Sequence, residues 1–197
     1  MVNFYTGCVM SGKTKLLSDI INLFDSSEYL LIVPKIVFPN DEVQVKSRAE
    51  GYEGIIPDIR IDKSTDLTVL LASMLDNSNI RLIVCDEIQF FEKDQIDQLF
   101  NIEKIFNLKI VCFGLLKTHQ NTIWDVVQYL INKKPKYTEI LSCCTYCENI
   151  ATTNIRFDFN SSERIDDCGN DGDKEKYFPV CERCYKARDK RSYLENN

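Results

Sequence analysis

The eight residues Gly7-Cys8-Val9-Met10-Ser11-Gly12-Lys13-Thr14 spell G-x-x-x-x-G-K-T, and what flanks them settles the fold class. Met1-Val2-Asn3-Phe4-Tyr5 reads as a short strand, and Lys15 to Ile21 reads as an amphipathic helix. Strand, glycine loop and helix start together form the context that a phosphate-binding loop requires. Backbone N–H groups of the loop and of the helix N-terminus would face the phosphates, with Lys13 neutralising the β- and γ-oxygens. Thr14 offers a hydroxyl to Mg²⁺. A chance glycine turn is the plain alternative, and the complete pattern in this context argues against it.

Working outward, the first ~140 residues alternate strand-like and helix-like segments, the mark of a parallel α/β sheet flanked by helices. Tyr29 to Val33 is an apolar run stopped by Pro34. Ser64 or Thr65 is placed to cap a helix carrying Leu67, Leu70, Leu71 and Leu75. Ile80 to Cys85 reads as a strand, Lys93 to Phe106 as a helix, Lys109 to Phe113 as a strand closed by Gly114, and Thr122 to Lys133 as a helix before Pro135. The character changes near Tyr137: the chain becomes polar, cysteine-rich and aromatic, with a β-like stretch from Thr152 to Phe159. Asn160 to Lys176, dense in Asp, Asn, Gly and Glu, reads as an exposed loop, and Lys186 to Asn197 as a frayed end. The expected division is a phosphate-loop α/β domain over 1–137, a metal-binding domain over 138–190 and a flexible tail over 191–197.

The apolar strand ending in Asp86-Glu87 fits the second nucleotide motif of such proteins. Asp86, at the carboxyl end of a buried strand, would hold Mg²⁺ directly or through water. Glu87 is positioned to act as a general base toward an attacking hydroxyl. Two acids at a loop start are also common without any function.

Nine cysteines are unevenly placed: Cys8, Cys85 and Cys112 are scattered, and the other six crowd the last third. Cys144-Thr145-Tyr146-Cys147 and Cys181-Glu182-Arg183-Cys184 form two C-x-x-C pairs. Two such knuckles complete a tetrahedron of thiolates, which with no open position describes a structural rather than a catalytic zinc. Such an ion supplies folding free energy to a module with little apolar core. Redox pairs or coincidence are the alternatives. Cys143 creates a register ambiguity that the two-residue spacing resolves in favour of Cys144, and Cys168 reads as a free thiol.

The whole chain of 197 residues suits one ordinary domain with a small appended module. Apolar content of 44% and charged content of 27% are ordinary for a globular protein. A net charge of −6 argues against a duplex-coating nucleic-acid binder. No apolar run is long enough for a bilayer and no leader pattern is seen, so a cytoplasmic location without a membrane partner is expected.

These parts in this order resemble the zinc-containing thymidine kinase family of bacteria, large DNA viruses and animals. The resemblance rests on Gly7 to Thr14, Asp86-Glu87-Ile88-Gln89-Phe90-Phe91, Gly114-Leu115, Cys144/Cys147 and Lys176-Tyr177-Phe178-Pro179-Val180-Cys181-Glu182-Arg183-Cys184-Tyr185. It implies ATP on the phosphate loop (Gly7, Met10, Ser11, Gly12, Lys13, Thr14) and Mg²⁺ at Thr14 and Asp86. It implies that Glu87 takes the proton of a deoxyribose 5′-hydroxyl, and that Gln89, Phe90, Leu115, His119 and Tyr177 face the nucleoside, most simply thymidine. The stretch between the zinc knuckles would be a lasso closing over that nucleoside. A homotetramer or homodimer is implied as well.

The sequence departs from the family at the nucleoside end. Where the family has Asp-x-Arg past a proline, this chain reads Val37-Phe38-Pro39, with Asp41 and Arg48 the nearest substitutes. After Gly114-Leu115 an acid is replaced by Leu116, and His119 stands where an aromatic stacks on thymine. The lasso's Ile-Gly-Gly-like stretch is reduced to Gly169-Asn170-Asp171-Gly172. His119 can stack, hydrogen-bond or face solvent, and Trp124 suits the core better than a ligand. Three readings follow: a deoxynucleoside kinase with altered base contacts; a catalytically impaired member that binds nucleotide as sensor, scavenger or docking module; and, least supported, a zinc-ribbon nucleic-acid module with an ATPase.

Overall fold

Strands apolar at every position, such as Leu30-Leu31-Ile32-Val33 and Leu82-Ile83-Val84-Cys85, need cover on both faces, and a parallel sheet between helix layers supplies it. The computed structural model describes residues 1–38, 44–45, 54–76, 78–158, 164 and 175–187. Its elements run β1 (Val2–Thr6), α1 (Lys13–Ile21), β2 (Tyr29–Pro34), β3 (Ile59–Ile61), α2 (Leu67–Leu75), β4 (Leu82–Cys85), a 3-10 turn (Ile88–Phe90), α3 (Lys93–Phe106) and β5 (Lys109–Gly114). They continue as α4 (Asp125–Asn132), β6 (Lys136–Glu139), β7 (Thr153–Asp158), β8 (Glu175–Val180) and α5 (Glu182–Ala187). The first six strands form one sheet in the order β3-β2-β4-β5-β1-β6, parallel throughout. β7 and β8 form a separate antiparallel pair.

Side-chain alternation sends the two faces of the sheet to two cores. Leu31, Val33, Val84, Val111 and Phe113 pack with Leu17 and Ile21 of α1. Phe4, Ile32, Ile83, Cys85, Ile110 and Cys112 pack with Leu67 and Leu71 of α2, Ile96 and Leu99 of α3, and Val127 and Leu130 of α4. Each fully buried aliphatic side chain contributes about 1.5–3 kcal/mol against exposure. A third cluster, built from Ile155, Phe157, Val180 and the cysteines Cys144, Cys181 and Cys184, is the core of the C-terminal module among the described residues.

Several boundaries differ from the sequence expectation. The cap of α2 is Asp66, whose carboxylate accepts from the N–H of Thr68 at 2.8 Å and of Val69 at 3.1 Å. Ser64 and Thr65 instead donate their hydroxyls to Asp62. α4 begins only at Asp125, because Lys117 to Ile123 closes a small hairpin first: Thr118 N–H donates to Thr122 O at 2.8 Å. Asn121 takes the left-handed turn position there, with φ 63°. β3 and β6 were not foreseen. Each is short, and β6 (Lys-Tyr-Thr-Glu) is exposed along its length at the sheet edge, so it carries no apolar signature. Pro39, Asp41, Arg48, Cys168 and Gly169 to Gly172 lie outside the described residues, as do most of 160–174 and the tail from 188.

Candidate functional site: a phosphate loop facing an acidic pair

Strand order brings three loops to one edge. β5 lies between β1 and β4, with Thr6 in register with Gly114 and Cys85 with Cys112. The chain therefore leaves β1, β4 and β5 side by side at their carboxyl ends, where open α/β sheets bind ligands. Thr6 Oγ1 ties two of these exits together by donating to Gly114 O at 2.9 Å.

The loop after β1 is held open as a cradle. Gly12, at φ 90°, turns the chain into α1 without a side-chain cap, so the first N–H groups of α1 are left for a ligand. Met10 is also left-handed, at φ 58°, a conformation that costs a non-glycine residue about 1–2 kcal/mol. Lys13 Nζ donates to Gly7 O at 3.0 Å and to Cys8 O at 2.8 Å, wrapping the loop around its own ammonium. Ser11 Oγ is buried with no hydrogen-bond partner among the described residues. An unsatisfied hydroxyl, an uncapped helix start and a lysine suit a phosphate group. Burial pushes the Lys13 ammonium down, and the carboxylates of Glu87 and Asp86 pull it back up. Burial raises the Cys8 thiol to about 11, which keeps it protonated at neutral pH.

Asp86 follows β4 and is buried. Its Oδ1 accepts from Glu87 N–H at 2.9 Å. Burial, then the nearby Glu87 charge, raises its carboxyl to about 7, with Lys13 acting in opposition. Thr14 lies in the first turn of α1. Glu87 adopts a left-handed backbone, φ 53°, which swings its side chain out of the strand direction. Gln89, itself buried, fixes that side chain: its Nε2 donates to Glu87 Oε2, and its Oε1 accepts from Leu115 N–H at 3.0 Å. Gly114 is required by this packing, since a Cβ there would sit 2.6 Å from Gln89 Oε1 and 2.7 Å from Ile88 Cγ2.

The walls around this edge come from both modules. Phe90 meets Trp124 edge-on, ring centroids 5.5 Å apart, and Trp124 packs on the main core, as its sequence context suggested. His119, in the loop after β5, faces Tyr177 of β8 with centroids 6.5 Å apart. Its Nε2 is buried without a partner among the described residues, while its backbone O accepts the Tyr185 hydroxyl at 2.7 Å. Arg156, almost wholly buried, lies over the Tyr177 ring at 5.8 Å.

The four thiols of Cys144, Cys147, Cys181 and Cys184 lie within 4.8 Å of one another. Cys147 Sγ is 3.6 Å from Cys181 Sγ and 3.7 Å from Cys184 Sγ. Four sulfurs at ~2.3 Å from a tetrahedral Zn²⁺ would stand ~3.8 Å apart, so the donor set and spacing fit zinc. Backbone N–H groups already point at the sulfurs, Tyr146 N at 3.4 Å from Cys144 and Cys184 N at 3.5 Å from Cys181. A hydrogen bond from the Asn149 backbone, with help from the other thiols, lowers Cys147 to about 6.

A sequence profile described as thymidine kinase matches residues 1–185. The chain belongs to the thymidine kinase family. A thymidine kinase of Listeria monocytogenes serotype 4b is 28% identical over 188 residues, covering 92% of this chain and 94% of its own. One of Shouchella clausii is 28% identical over 189 residues, with the same coverage. Among solved structures, Bacteroides Pif1 bound to single-stranded DNA aligns with a TM-score of 0.37 at 15% identity, over 70% of this chain and 37% of that one. So low a score carries no functional argument.

Family membership makes nucleoside kinase the general function. The structure gathers Gly7, Met10, Ser11, Gly12, Lys13, Thr14, Asp86 and Glu87 at one sheet edge, with Gln89 behind Glu87 and Leu115 bonded to Gln89. His119 and Tyr177 meet across the two modules, and the cysteine quartet is a separate cluster. Two residues escaped the sequence reading: Asn154, which bonds the phosphate loop, and Arg156. The sequence signal is only the alternation of polar Asn154 and Arg156 with apolar Ile155 and Phe157, which reads as a strand with one solvent face; the structure shows all four buried. A strand with one polar yet buried face must press it against another part of the protein. Among the described residues, no helix is long and apolar enough to cross a membrane.

Proposed function

We propose that this protein is an ATP-dependent deoxynucleoside kinase, most simply a thymidine kinase, that transfers the γ-phosphoryl group of ATP to a nucleoside 5′-hydroxyl. The supporting observation is the meeting of Lys13 with Asp86 and Glu87 at one edge, close enough for each charge to act on the others. The phosphate loop and the start of α1 bind the triphosphate, and Lys13 sets its positive charge against the oxygens on which negative charge builds in the loose transition state. Thr14 and Asp86 would hold Mg²⁺, whose chemistry there is to neutralise and orient the β- and γ-oxygens. Glu87, clamped by Gln89, accepts the proton of the 5′-hydroxyl as its oxygen attacks in line. Phe90, Leu115, His119 and Tyr177 line the nucleoside side. Zn²⁺ would sit on Cys144, Cys147, Cys181 and Cys184 as a staple for the module carrying Tyr177.

Incubation with ATP, Mg²⁺ and a panel of deoxynucleosides tests this. A 5′-monophosphate should form, fastest from thymidine, and Glu87→Gln should remove almost all turnover while ATP still binds. No phosphorylation of any nucleoside sinks the proposal. The buried His119 Nε2, without a partner among the described residues and in a family position for a stacking aromatic, favours one second reading: a member that binds nucleotide without turnover. Calorimetry showing nucleotide and nucleoside binding, with no product formed, selects it.

A further inference from the structure

Asn154 is the second residue of β7 and is buried, yet its partner is not in its own module. Its Oδ1 accepts from Val9 N–H, in the first half of the phosphate loop, at 2.9 Å. Next to it, Thr153 O receives the Cys8 thiol at 3.5 Å. β7 thus grips Cys8-Val9, while Gly12, Lys13 and Thr14 at the helix start stay on the ligand side. The grip lies beside Met10, a non-glycine residue held left-handed. A strained turn persists only where its surroundings over-determine it, and here part of that surrounding is the C-terminal module.

The connection runs on to the cysteine cluster. Asn154 is in register with Pro179 of β8. Pro179 O accepts both Thr145 N–H and Thr145 Oγ1, each at 2.9 Å, and Thr145 lies inside the Cys144–Cys147 knuckle. Thr152 N–H donates to Val180 O at 2.9 Å, one residue before Cys181. Knuckle, β8, β7 and phosphate loop form one continuous set of hydrogen bonds.

We propose that Asn154 is a positioning residue for the phosphate loop, through which the cysteine module sets the shape of the nucleotide cradle. This rests on the reading of that loop as a nucleotide site. Asn154 touches no reacting atom; it removes the freedom of Val9 and Met10, so that the ligand does not have to order them on binding. Removing one such bond should weaken nucleotide binding about fivefold, the usual net worth of a buried hydrogen bond.

The test uses the zinc-loaded full chain, as wild type, Asn154→Ala and Asn154→Asp, the last keeping an acceptor oxygen in place. Amide hydrogen exchange of the segment 7–14 is followed without nucleotide, and MgADP is titrated calorimetrically. Alanine should speed exchange in that segment and weaken MgADP about fivefold, with zinc content and thymidine affinity unchanged; aspartate should keep wild-type exchange. Should the alanine variant not fold, Asn154→Thr, whose hydroxyl is too short to reach Val9, replaces it with the same expectations. Unchanged exchange and MgADP affinity in the alanine or threonine variant overturn the proposal. So does loss of zinc in that variant, or aspartate exchanging as fast as alanine. If wild type binds no MgADP, the nucleotide reading fails instead, and the exchange comparison still decides the role of Asn154.

Discussion

Replacing Gln89 with leucine separates two roles that this residue could have, orienting Glu87 or reading the base. The buried amide has both ends engaged: Nε2 on Glu87 Oε2, and Oε1 on Leu115 N–H at 3.0 Å. Leucine fills a similar volume but leaves the Leu115 N–H unsatisfied, at about 1–3 kcal/mol. It also deprives the Glu87 carboxylate of a donor, a bond worth about 1.5–3 kcal/mol to a charged group, less here because Glu87 is only half-buried and water replaces part of it. The sum is a destabilisation of about 2–4 kcal/mol, which in a chain of this length lowers Tm by roughly 5–15 °C. A carboxylate free to swing by an ångström should lower kcat about 100-fold, with KM for ATP unchanged because the phosphate loop makes no bond to Gln89. The assay is steady-state phosphorylation of thymidine at saturating ATP, beside thermal unfolding. If Tm falls while kcat stays within about threefold, Gln89 is a brace and no more. If KM for thymidine rises with kcat intact, it reads the substrate and the positioning argument is refuted.

Cys181→Ser should abolish stoichiometric zinc, read by atomic absorption, and should unfold the C-terminal module, whose apolar core is small and includes three of the four thiols; a variant keeping both zinc and stability contradicts the assignment. The Asp86 carboxyl is held at about 7 when folded against an ordinary 3.8, so the fold binds the extra proton between those values. That contribution is fully present below pH ~4 and disappears as pH rises through ~7. Zinc-loaded protein without Mg²⁺ should therefore lose a few kcal/mol of stability across this window in urea titrations at stepped pH, and Asp86→Asn should flatten the slope. Gly114→Ala forces a methyl against Gln89 Oε1 and Ile88 Cγ2. It should cost about 1–3 kcal/mol and lower kcat, since relief requires Gln89 to move off Glu87; unaltered denaturation midpoint and kcat would show that the loop simply gives way.

What the sequence disclosed, and what it hid, divides along a physical line. Local placement was legible: a glycine loop between strand and helix, two acids ending an apolar strand and paired cysteines that cluster each follow from a few neighbouring residues. β3 and β6 were silent because a three- or four-residue strand, one of them polar and exposed, has too few alternations to read. The cap at Asp66 was missed because Ser64, Thr65 and Asp66 all have capping chemistry, and only the chain path shows that Asp62 takes the hydroxyls of the first two. The contact between Asn154 and Val9 spans |i−j| = 145 in the chain, beyond any local pattern.

That distant contact gives the cysteine module a part beyond carrying Tyr177. Two antiparallel strands alone are marginal in water, and this pair buries few apolar residues. A metal staple makes such a pair rigid, and rigidity is what Asn154 needs in order to hold Val9 against the strain at Met10. Under the proposed assignment of the site, a loosened knuckle would be felt at both substrates: on the nucleoside side through the Tyr177–His119 contact, and on the phosphate side through Asn154. Loss of zinc by an intact chain should consequently weaken nucleotide and nucleoside together, whereas Asn154→Ala should weaken the nucleotide alone. The difference between those two patterns separates support of the fold from placement of the loop.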